Sequence, residues 1–111
     1  MEWEIIYYSE ALQEEISALP VGIQARYVHL TERMRIYGAN LGMPHTKAMK
    51  DGLFEMRMKS KEGIGRVFYC TLVNKRIVML HSFIKKTKGT PSKELKIAIS
   101  RKNEVKANVD T

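Results

Sequence analysis

Residues 3–8 form a short aromatic and β-branched run, the kind that packs on a pleated surface, and Ser9 follows it as a helix N-cap. The period then changes. From Glu10 the apolar positions Leu12, Ile16 and Leu19 recur at helical spacing until Pro20, whose ring disfavours helical backbone in the residue before it. Ile23, Tyr27, Leu30, Met34 and Tyr37 alternate steps of four and three, which keeps them on one stripe of a second helix; Gly38, Asn40 and Gly42 stop it. Period two returns in residues 53–59, 65–73 and 76–84, joined by short turns, so three strands are expected to pair antiparallel in sequence order. Thr90 and Pro91 fit an N-cap and a first helical position, and Leu95, Ala98, Ile99 and Val105 space out a closing helix, with residues 108–111 fraying. Residues 38–51, around Pro44 and His45, read as a loop. The expected fold is α+β: a small antiparallel sheet, an N-terminal helical hairpin and a C-terminal helix, in the order β-α-α-β-β-β-α.

Alternation also assigns faces. Phe54, Met56 and Met58 alternate with Leu53, Glu55, Arg57 and Lys59, so Arg57 points away from the apolar side. Arg66 shares a face with Phe68 and Cys70, opposite Val67, Tyr69 and Thr71; that strand is apolar on both sides, so alternation does not say which face is buried, and we place Arg66 beside Arg57.

The chain has 111 residues, the size of a single domain, here residues 1–111. Its formal net charge of +7 and pI near 9.6 favour a polyanionic partner, and RNA is the first to consider. Cys70 stands alone, which excludes a disulfide within the chain. The acidic start MEWEIIYY lacks a signal-peptide pattern, and nothing reaches the roughly eighteen apolar residues of a membrane span. A soluble, cytoplasmic protein is expected.

The candidate chemistry is cationic. Lys85, Lys86 and Lys88 end the last strand pattern, where lysines often just blunt a strand end; arginines from neighbouring strands, however, would reach the same place, and guanidinium suits bidentate phosphate contacts. Arg57 has a plainer alternative in an exposed ion pair with Glu55 or Glu62. Arg66, among Val67, Phe68 and Tyr69, has no such plain explanation. His29, His45 and His81 are too scattered for a metal, and no metal site is expected. His81, beside the lysines, is a candidate acid or base, although a strand histidine bonded to a carbonyl is the commoner case. The GIGR turn at residues 63–66 has no following helix and so is not a phosphate loop. Cys70 reads as a small core residue or a surface thiol.

Taken together, Gly52-Leu53-Phe54-Glu55-Met56-Arg57, Gly65-Arg66-Val67-Phe68-Tyr69, Leu80-His81-Ser82-Phe83-Ile84-Lys85-Lys86-Thr87, Thr90-Pro91 and the Ala98-containing helix resemble the phage-derived branch of the RelE/HigB toxin family, within the RelE/ParE superfamily. The resemblance spans nearly the whole chain. It implies the toxin of a bacterial type II toxin–antitoxin pair, a metal-independent, cofactor-free endoribonuclease that enters the ribosome and cuts mRNA. By resemblance, Arg66, Lys85, Lys86 and His81 would be catalytic, and Arg57, Lys59, Lys88 and Arg101 would bind RNA. The partners implied are the ribosome with its mRNA and a cognate antitoxin of helix-turn-helix type. Some relatives carry lysines where this chain has Leu53 and Glu55. The superfamily also offers two other activities, a ParE-like gyrase inhibitor and an inactive relative that only binds its antitoxin.

Overall fold

The computed structural model describes residues 2–85, 89 and 91–109. A strand, β1 (Glu4–Tyr7), leads through Ser9 into α1 (Glu10–Ser17), where the Ser9 hydroxyl accepts from the Leu12 amide at 3.1 Å. Pro20 then caps α2 (Val21–Tyr37). Gly38 ends that helix at φ 99°, and a β-carbon there would stand 3.3 Å from the Trp3 ring, so both backbone and space call for glycine.

The segment expected as a loop contains a further strand, β2 (Thr46–Ala48), followed by a 3-10 turn at Lys50–Gly52. A strand of three residues is too short to show alternation. β3 (Leu53–Ser60), β4 (Gly63–Leu72) and β5 (Arg76–Lys85) form the expected antiparallel meander, with Asn74 and Lys75 at positive φ in its second turn. The sheet order is β1-β5-β4-β3-β2, and β1 lies parallel to β5, so the five-stranded sheet is mixed rather than wholly antiparallel. The chain ends in α3 (Ser92–Val109), with Pro91 one residue before the helix; Thr90 and residues 110–111 lie outside the described residues.

Helices cover both faces of the sheet. The α1–α2 hairpin lays Leu12, Ile16, Ile23, Tyr27, Leu30 and Met34 on Met56, Met58, Val67, Tyr69, Ile77 and Met79. Burying each aliphatic side chain contributes about 1.5–3 kcal/mol. Gly65 lets α2 come close, since a β-carbon there would meet Ile23 at 2.6 Å and Met58 at 2.9 Å. On the other face Ala98, Leu95 and Val105 of α3 pack over Leu53, Phe68, Cys70, Val78 and Leu80. Lys102 of α3 is buried and donates to the Asp51 carbonyl at 2.8 Å.

One irregularity decides where the end of β5 faces. Phe68 pairs with His81 while Tyr69 pairs with Met79, which leaves Leu80 as an extra residue. A bulge of this kind shifts the alternation by one. Strict alternation from Ile77 and Met79 would turn Lys85 under the helical hairpin. With the bulge, His81, Phe83 and Lys85 join the α3 face instead, opposite Phe68, Arg66 and Ile64.

Candidate active site

The register sets out the α3 face in rows. Glu55, Phe68 and His81 form one, Arg57, Arg66 and Phe83 the next, and Lys59, Ile64 and Lys85 the last. Beyond the part of the sheet that α3 covers, Arg57, Arg66 and Lys85 line one cleft of about 220 Å³, together with Glu55, His45 and Lys47. Its rim is the segment around the cis Met43–Pro44 peptide.

Arg66 is the fixed point of this cleft. It is 6% exposed, a burial that a guanidinium tolerates only with a charged partner, and its Nη1 donates to Glu55 Oε1 at 2.5 Å. Glu55, equally buried, comes from the adjacent strand two residues before Arg57. Glu62, the other acid considered as a partner for Arg57, instead accepts from the Gly22 amide at 2.5 Å. Arg57 is half-buried and makes no ion pair among the described residues. The Nε groups of Arg57 and Arg66 are both buried without an acceptor among the described residues. Two guanidinium groups in register, with N–H donors still to satisfy, are suited to gripping a tetrahedral anion.

The remaining candidates fall in different places. Lys85 is in the cleft and Lys59 is on the same face at its outer end. His81 lies one row inward, where Nε2 is 2.8 Å from Glu94 of α3 and the ring stacks on Phe83; it does not line the cleft. Arg101 is further away, donating to the Leu80 carbonyl at 2.8 Å and lying 4.6 Å over the Tyr8 ring. Lys86 and Lys88 lie outside the described residues.

Three titratable residues that line the cleft were not assigned to it from the sequence: Glu55, which pairs with Arg66, His45 and Lys47. The two-residue step from Glu55 to Arg57 was the available signal for the first. His45 reaches the site because its carbonyl accepts from the Arg57 amide at 2.9 Å, and Lys47 because it pairs with Glu55 across β2 and β3. Neither pairing follows from periodicity. Cys70 lies buried in the core under α3, and burial pushes its thiol pKa up. A buried, protonated thiol is a poor nucleophile.

The profile of the family described as "Phage derived protein Gp49-like (DUF891)" matches residues 14–103. No curated protein matches the sequence significantly. Among solved structures the fold is similar to that of the E. coli toxin RelE, in a double arginine-to-alanine variant in the free state. The match covers 91% of this chain and 98% of that one at a TM-score of 0.59 and 12% identity. The strands that line the cleft lie within the family match, and the chain belongs to the phage-derived Gp49-like family, carried on the fold of a RelE-type toxin.

Proposed function

We propose that the protein is the toxin of a bacterial type II toxin–antitoxin pair and acts as a ribosome-dependent mRNA endonuclease. The observation that carries this is the convergence of Arg57, Arg66 and Lys85 on one cleft. In-line attack of a ribose 2′-oxygen on the adjacent phosphorus forms the new P–O bond and breaks the bond to the 5′-oxygen. A cyclic phosphate and a 5′-hydroxyl result. One proton leaves the 2′-hydroxyl and one must reach the departing 5′-oxygen, while negative charge builds on the phosphoryl oxygens.

Arg57 and Arg66 stabilise that charge from adjacent strands, and Arg66 does so from a position fixed by Glu55. Lys85, in the same cleft, neutralises the phosphate and is a candidate to deliver the proton to the leaving oxygen. Glu55 and His45 are the groups in the cleft able to accept the 2′-proton. The net charge of +7 favours the ribosome as a target, because counterion release rewards binding to it. A cognate antitoxin, expected to be a helix-turn-helix protein, blocks activity by covering this basic cleft.

The test is translation of a defined mRNA on programmed ribosomes, with cleavage mapped by primer extension. Cuts by the native chain that vanish with Lys85→Ala and Arg66→Lys support the reading. Intact transcripts, with double-strand DNA breaks in cells expressing the chain, would transfer it to gyrase inhibition.

A further inference from the structure

The cleft continues past the proposed scissile site. A second hollow of about 250 Å³ shares Pro44, His45 and Arg57 with it and adds Lys59 and Arg26. A third, of about 290 Å³, shares Arg26 and Lys59 with the second and adds His29, Ala25 and Gly22 of α2. The three form one route from the α3 face, around the edge of the sheet, onto the exposed side of α2.

The sheet leaves this route open. β2 pairs with β3 only as far as Met56, and the Arg57 amide takes the His45 carbonyl just beyond. By the two-residue period of the ladder, the backbone of Lys59 faces the same outer edge, where no strand follows. Arg57 and Lys59 therefore stand about 6.7 Å apart along one strand, on the same face. Neither the second nor the third hollow is lined by a carboxylate, and among the described residues Arg26 and Lys59 make no ion pair. Glu62, held at the Gly22 amide, marks the far end with negative charge.

We infer that this route holds a single RNA strand flanking the scissile phosphate: phosphates follow Arg57, Lys59 and Arg26, and a base rests on the Pro44–His45 surface between the first two hollows. The inference rests on the RNA-cleaving reading of the first cleft. A cationic groove interrupted by a ring surface is how proteins track single strands, charge following the backbone and rings taking the bases. An acidic peptide would have no use for the ring surface.

The test uses 2′-O-methyl oligonucleotides, which lack the attacking hydroxyl and stay intact. Binding of a trinucleotide and of a dodecanucleotide is followed by fluorescence anisotropy across a salt series, for the native chain and for R26E/K59E. Both residues are exposed, so the variant keeps its fold, as circular dichroism will verify. The dodecanucleotide is expected to lose about tenfold or more in affinity, with its log–log salt slope reduced by about 1.4, while the trinucleotide, whose two phosphates reach no further than Lys59, loses less and has its slope reduced by no more than about 0.7. An unchanged dodecanucleotide, or no binding of either at low salt, overturns the inference. So does a polyglutamate peptide that binds equally well through Arg26 and Lys59, which would assign the route to an acidic protein segment. The two proposals fail separately. A chain that binds along this route yet leaves ribosomal mRNA intact keeps the route and loses the nuclease; cleavage with an unaltered R26E/K59E affinity does the reverse.

Discussion

Arg57 and Arg66 stand directly opposite one another in the ladder between β3 and β4. Like charges so placed oppose folding, by an amount within the roughly 0.2–1 kcal/mol that cross-strand pairs command. A bound phosphate turns that repulsion into attraction. Arg57→Gln is therefore expected to leave urea stability unchanged or raise it by less than about 1 kcal/mol, while lowering the cleavage rate about 10²–10³-fold. A variant that loses stability and activity together would make Arg57 a structural residue.

Glu55 and Arg66 behave in the opposite way, because each is buried and needs the other. Glu55→Leu leaves a guanidinium without its carboxylate and is expected to cost about 3–5 kcal/mol in urea denaturation. Adding Arg66→Met should restore most of that stability, since an apolar pair of similar volume is often neutral or better, but not cleavage. A double variant no more stable than the single one would show that the pair does not act as a unit.

Gly65→Ala tests how closely α2 is seated. The added methyl would meet Ile23 and Met58, and overpacking of this kind costs about 1–3 kcal/mol. The same change at Gly42, which has no atom within 4 Å of a new β-carbon, relieves no contact and strains only the backbone at φ 88°. Gly65→Ala is expected to lower the thermal midpoint less in an Ile23→Ala background, from which the crowded Cγ2 is gone, than in the native chain; an equal cost in both backgrounds would show that crowding against Ile23 is not its cause.

Alkaline pH should unfold the protein through its tyrosines. Burial raises the pKa of Tyr27, whose hydroxyl is 2.7 Å from that of Tyr7, and of Tyr69, whose hydroxyl donates to the Ala39 carbonyl. In both, the folded value lies above the ordinary 10.0, so at high pH the unfolded chain binds fewer protons than the folded one. Their contribution is complete below pH 10.0 and is lost as the pH rises further, at about 1.4 kcal/mol per unit for each group. Urea titrations over this range should show that slope flattened in Tyr69→Phe.

Element type was legible wherever a period ran long enough to repeat. The stripe from Ile23 to Tyr37 and the alternation from Leu53 to Lys59 both name their structures, because each face must stay apolar over several residues to bury anything. Alternation put Arg66 on the face of Phe68 and Cys70 but left open which face of that doubly apolar strand is covered; the pairing of β3 with β4 sets it opposite Arg57. What depends on distant pairing was not legible. Thr46–Ala48 became a strand because β3 offered an edge, and β1 took a parallel place beside β5 through a connection that alternation does not encode. Glu55 was visible as a charged residue on a mixed face, but its choice of Arg66 over Arg57 depends on side-chain reach between strands. His81 looked like a neighbour of the lysines in sequence, and α3 claimed it with Glu94.

The extra residue at Leu80 has a consequence for comparing this chain with others. It acts as a phase change in the counting frame: Lys85, the cation of β5 that lines the cleft, stands six places after Met79, whereas an unbroken ladder would require it after five. A relative without the insertion can thus keep the same chemistry while its lysine or arginine seems displaced by one column, and a column-by-column comparison would score the shared group as missing.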